Sequence, residues 1–120
     1  MCEKTKQAIE IYQQGRHAEQ EGRAILAESY YLQSRSLFEE AGESGSAQYL
    51  NAATTLNALT FLRWSRNDYE GALRSAKESV KIMEAYHPQF ITSADANLIY
   101  GTSCELMDQM QYQMSLVSTR

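Results

Sequence analysis

Between about Ala47 and Arg66, the residues Tyr49, Ala52, Ala53, Leu56, Leu59 and Thr60 recur three and four positions apart, which winds apolar and small side chains onto one face of a helix. A strand would need alternation by two. From Tyr69 to about Tyr86 the pattern returns with Ala72, Leu73, Ala76, Val80 and Met83. The polar run Arg66-Asn67-Asp68 separates the two segments, with Asp68 placed to cap the second helix. Two helices joined by so short a turn lie antiparallel and share a core.

Two more helices precede this pair, about Lys4 to Glu21 and about Arg23 to Ala41, parted around Gly22. The cluster Gly42-Glu43-Ser44-Gly45-Ser46 reads as a loop, with Gly42 placed to end a helix in the left-handed conformation. Proline disfavours helical geometry in the residue before it, so Tyr86-His87-Pro88 closes the fourth helix. A fifth is predicted from about Phe90 to Met107, and a short sixth from Gln111 to about Val117. The expected fold is all-α, one domain over residues 1–120, with five long helices plus a short C-terminal one.

The odd-numbered helices also carry an internal register. Gly15, Thr60 and Gly101 stand at their middles with a period of about 42 residues. Ile11, Leu56 and Asn97 fall four positions before these anchors; Gly22, Asn67 and Asp108 fall seven after, at the expected turns; Ala27, Ala72 and Gln113 fall twelve after. Small residues are wanted where two helices of a hairpin cross at close range. The register divides the chain into a first repeat over about 4–42, a second over about 47–86 and a partial third over about 89–120.

The run Asn67-Asp68-Tyr69-Glu70-Gly71-Ala72-Leu73 resembles the tetratricopeptide (TPR) family, whose pattern sets a glycine or asparagine turn before an aromatic and then an alanine. Gly22 with Ala27 is a weaker copy, and the third repeat departs from the pattern, with Met110 and Gln113 where tyrosine and alanine are usual. The period exceeds the about 34 residues of the common form and is similar to that of kinesin light chains and bacterial regulatory proteins. The resemblance implies a right-handed superhelical stack of antiparallel hairpins that binds a peptide or a helix of a partner protein in a concave groove lined by the odd-numbered helices. An oligomerisation or regulatory module of a larger signalling protein is the alternative. Repeats bury their apolar faces against their neighbours. Either the sixth segment acts as a polar cap, or the chain is part of a longer array whose next hairpin covers the fifth helix, in which case Leu106, Met107 and Met110 would be open and favour a homodimer.

Composition narrows the remaining classes. Proline occurs once and glycine six times, too little punctuation for an all-β fold. A formal charge of −4 and a pI of about 5.1 repel phosphate backbones, and no lysine or arginine cluster offsets them, so nucleic acid is not the expected partner. No apolar run approaches the roughly 18 to 20 residues that span a bilayer, and Met1-Cys2-Glu3-Lys4-Thr5-Lys6 leads into a polar helix. A cytoplasmic protein without membrane contact is expected. Cys2 and Cys104 are too few for a disulfide framework or a zinc site of the cysteine-pair type; both read as free thiols, Cys104 as a small core residue.

Candidate chemistry is sparse. Histidine occurs only at His17 and His87. Glu84 and His87 share a helical spacing, but di-iron bundles need two such pairs with further carboxylates. No phosphate-binding glycine loop, serine elbow or metal-spaced cysteine pair is present, so no catalytic residue, cofactor or metal is expected, and a small helical enzyme or metal carrier is a remote alternative.

Through the anchors, the TPR resemblance implies groove positions at Ile9, Tyr12, Arg16, Glu19 and Gln20 in the first repeat. In the second it implies Thr54, Asn57, Phe61, Trp64 and Ser65, and in the third Asp95, Leu98, Thr102 and Glu105. Phe61 and Trp64 are neighbours on one helix face, suited to anchor an apolar side chain, with Asn57 positioned to hold a peptide backbone. The competing reading packs Trp64 on the adjoining hairpin and Phe61 on the first helix. The family's carboxylate clamp of lysine, asparagine and arginine is not expected, because Tyr12, Arg16 and Ala58 stand at its positions.

Overall fold

The computed structural model describes residues 3–42, 48–86 and 94–118. They form five α-helices, α1 (Glu3–Gln20), α2 (Ala24–Gly42), α3 (Gln48–Ser65), α4 (Tyr69–Tyr86) and α5 (Ala94–Ser118), with no strand among the described residues. Each helix packs on the next in sequence, and α3 also meets α1 and α5; the backbone of α1 comes near neither α4 nor α5. The helices therefore stand in a row rather than close into a bundle.

The turns α1–α2 and α3–α4 are built alike. Gly22 and Asn67 both take the left-handed conformation, with φ of 78° and 63°. Behind them, Arg23 N–H donates to the Ala18 carbonyl and Asp68 N–H to the Arg63 carbonyl, both at 2.9 Å, while Gly22 and Asn67 donate to Glu19 and Trp64. This paired closure satisfies the last carbonyls of each first helix and needs a residue that tolerates positive φ, which glycine and asparagine supply. Asp68 then caps α4, its Oδ1 accepting from Gly71 N–H at 3.0 Å. The likeness extends into the hairpins. Ser34 Oγ donates to the Ala8 carbonyl at 2.7 Å, and Ser79 Oγ reaches the Ala53 carbonyl at 3.2 Å, at the same offset that separates Gly15 from Thr60.

Sitting between α2 and α4, α3 buries residues on several sides, Ala52, Ala53, Leu56, Leu59 and Thr60 as the sequence predicts and also Thr55, Asn57, Ala58 and Leu62. One apolar cluster joins Ala18, Ala27, Tyr31, Leu56, Leu59 and Leu62 across α1, α2 and α3; another sets Ala72 and Ala76 of α4 against Leu106 and Met110 of α5. Arg63 ties three helices, its Nε donating to Glu28 at 2.7 Å and its Nη1 to the Gly71 carbonyl at 3.0 Å.

Four expectations change. The separate sixth helix does not exist: α5 runs unbroken through Met107-Asp108-Gln109-Met110, a stretch with no glycine or proline, because Ser103, Leu106 and Met110 continue one buried stripe along it. Asp108 is thereby a mid-helix residue and not a turn. Leu106 and Met110 are buried against α4, with Met107 half-buried beside them. Gly42 closes α2 as its last helical residue without positive φ; its missing side chain admits the Tyr49 ring, which a Cβ would approach to 2.6 Å. Gly101 is exposed, with nothing near its Cβ position among the described residues, whereas Gly15 and Thr60 are buried at close crossings. The expected start of the fifth helix at Phe90 and the His87-Pro88 turn lie outside the described residues.

Candidate interaction surface

Serine and threonine hydroxyls are concentrated where α3, α4 and α5 meet. Ser79 and Ser103 stand 2.7 Å apart, and both reach Asn57 Oδ1, at 2.8 and 3.1 Å. Thr60 Oγ1 lies 2.8 Å from Ser75 Oγ. All five side chains are buried. Each hydroxyl also has a carbonyl acceptor on its own helix or the next, Leu56 for Thr60, Ala72 for Ser75, Ala53 for Ser79 and Ile99 for Ser103. Polar atoms in this seam are satisfied internally and hold the three helices in register.

Asn57, expected to grip a ligand backbone, is only 7% exposed, and its amide oxygen is engaged by the seam. Its neighbours one and two turns on point outward instead: Phe61 is 47% and Trp64 37% exposed. Across the α3–α5 junction, Leu98 is 70% exposed, Thr102 half-buried and Glu105 exposed. On α1, Tyr12 is half-buried with its ring centroid 5.7 Å from that of Tyr31, Arg16 is exposed, and Glu19 accepts a 2.6 Å hydrogen bond from the Tyr31 hydroxyl. Burial, followed by that bond to Glu19, pushes the Tyr31 phenol well above its ordinary range and keeps it a donor. Glu19 and Tyr12 thus brace the first hairpin while Arg16 is left to solvent. Of the other groove positions, Thr54 and Ile9 line a cleft of about 180 Å³ between α1 and α3 with Tyr12, Gln13 and Asn51.

Trp64 borders a second cleft, of about 420 Å³, with Asp108, Gln109, Tyr112 and Gln113 of α5. Tyr112 is 63% exposed. Neither Asp108 nor Tyr112 is among the positions implied by the repeat pattern, which assigns the first to a turn and the second to a separate helix. The signal for both was the absence of any breaker between Gly101 and Val117, which lets a single helix carry Glu105, Asp108 and Tyr112 on neighbouring turns.

Cys104 is half-buried, and burial pushes its thiol above the ordinary range, against thiolate formation. Among the described residues no group of three histidine, cysteine, aspartate or glutamate side chains could hold a metal ion, and no helix is long and apolar enough to cross a membrane. Comparison with protein-family models, with curated proteins and with solved structures finds no match to this chain.

Proposed function

We propose that the chain is a protein-interaction module of the TPR kind, which binds a peptide segment or a helix of a partner protein along the side that α3 forms with α1 on one flank and α5 on the other. The observation that carries this reading is Phe61 and Trp64 on adjacent turns of α3, large aromatics held in solvent on the helix whose other faces are buried. A monomer gains nothing from that exposure, and aromatic anchors of this kind dominate binding energy where a partner covers them. The row of helices and the two matching hairpins support the repeat reading. The affinity of such a module comes from a few preformed anchors, without cofactor, metal or catalytic group. A cytoplasmic setting accords with the free thiol and the acidic surface.

Panning a peptide-display library on the full chain tests this, with Phe61→Ala/Trp64→Ala and Ile25→Ala as counter-selections. Peptides that bind the protein and the Ile25 variant, and bind the double variant at least about tenfold more weakly, support it. A selected set indifferent to Phe61 and Trp64 overturns it.

A second reading, self-association, is favoured by α5 alone. This last helix exposes Leu98, Tyr112 and Leu116, apolar side chains that an isologous contact would cover. A mass that stays monomeric by sedimentation up to high concentration removes that reading.

A further inference from the structure

The cleft between the end of α3 and the C-terminal half of α5 presents an indole, a phenol, a carboxylate and two carboxamides, from Trp64, Tyr112, Asp108, Gln109 and Gln113. We propose that this cleft is a binding site for a cationic side chain, best an arginine, of a basic partner segment. The proposal rests on the docking role given above to the α3–α5 side and specifies the chemistry of what docks there.

Charge supports it first. Asp108 and Glu105, one turn apart on α5, form no ion pair among the described residues, whereas Glu28, Glu39, Glu40 and Glu78 are each matched to an arginine or lysine. From Ala94 to Ser118, α5 carries no lysine or arginine at all. The arginines at the end of α3 are turned elsewhere, Arg63 onto Glu28 and Gly71, and Arg66 into a cleft with Gly22, Arg23 and Ile25. Neither α3 nor α5 therefore sets a basic side chain against Asp108 among the described residues, in a chain whose net charge is already −4.

Shape and ring chemistry support it second. Trp64 and Tyr112 keep 37% and 63% of their surface in water beside an unneutralised carboxylate. An aromatic face attracts a cation through its quadrupole, and a planar guanidinium stacks on an indole while its edge donates to a carboxylate and to carboxamide oxygens. An ammonium can use the carboxylate and the rings but not the stack. A neutral or acidic side chain would leave Asp108 unpaired or repelled.

The chain has a single tryptophan, so Trp64 emission reports directly on the cleft. The full-length protein is titrated at low salt with the acetylated, amidated tripeptide Leu-Arg-Leu, with its lysine counterpart, and with the neutral counterpart carrying citrulline. The expected result is saturable change with the arginine peptide at a dissociation constant about fivefold or more below that of the citrulline peptide. The lysine peptide should fall between, and the advantage should shrink as salt rises. Asp108→Asn, a change on an exposed helix surface, should bring the arginine peptide to the citrulline value and leave the citrulline peptide unmoved.

Equal affinity for arginine and citrulline peptides, or an arginine advantage that survives Asp108→Asn, overturns the site. If display-selected peptides bind through Phe61 and Trp64 yet carry no cation, the docking surface stands and the cationic site falls. If Trp64 emission changes on dilution of the protein alone and no peptide competes, the occupant is a second copy, and the proposal also falls.

Discussion

Gly15 lies against the ring of Tyr31: a Cβ on the glycine would stand 2.8 Å from two ring carbons and 3.2 Å from Tyr30 Cβ. The ring has no room to yield, being fully buried and held at its hydroxyl by Glu19. Alanine at this position gains about 1 kcal/mol of helix propensity but forces an overpacked crossing that costs typically ~1–3 kcal/mol. Gly15→Ala is expected to lower stability by about 1 kcal/mol in urea denaturation. Gly101→Ala, at an exposed helical site with open space around it, is expected to raise stability by about 0.5–1 kcal/mol. Shifts of the same sign would show that the close approach of α1 and α2 at Gly15 does not matter.

Asn57→Ala is expected to lower stability by about 1–2 kcal/mol, because Ser79 and Ser103 lose a shared acceptor inside the seam. Thermal unfolding measures it. A groove residue with no structural duty would leave the melting temperature in place and change only binding.

Phe61→Ala and Trp64→Ala should behave in the opposite way. Both side chains are more than a third exposed, and neither belongs to a buried cluster, so each substitution is expected to change stability by less than about 1 kcal/mol. A loss of several kcal/mol in denaturant titration would place these rings in the core.

Burial pushes the Glu39 carboxyl above its ordinary range, with Arg35 opposing and Glu78 adding to the shift. The folded chain therefore holds this proton more tightly than the unfolded chain, and ionising Glu39 costs stability as pH rises through the raised value. Glu39→Gln should be slightly more stable than the parent at pH 7, by under about 0.5 kcal/mol because the side chain is partly solvated and Arg35 retains Glu78. The difference should vanish as pH falls below the ordinary glutamate range. A gap between the two proteins that widens on acidification contradicts this account.

The first four helices were legible because their apolar spacing and their turn residues agree: Gly22, Asn67 and Asp68 stand where positive φ and a cap are required. The end of the chain was not. The register borrowed from Gly15 and Thr60 placed a turn at Asp108, but register is a weaker force than an unbroken stripe of Ser103, Leu106 and Met110 with a helix to lean on. At the candidate surface, the place of Phe61 and Trp64 off the core stripe left two readings open, a groove or packing on neighbouring helices, and their exposure of 47% and 37% was not legible from spacing alone. Nor was the inward commitment of Asn57, because it depends on two serines on other helices, Ser79 and Ser103, which look like solvent residues in a sequence.

α3 touches each of the other four helices, while the two outermost never meet. Anything that loosens it disconnects both ends at once, so its amides should be the last to exchange with deuterated water, and those of α1, which leans mainly on α2, should go early. Strain applied at one end of the row reaches the other mainly through that one rod, with the Arg35–Glu78 pair between α2 and α4 as a side strut.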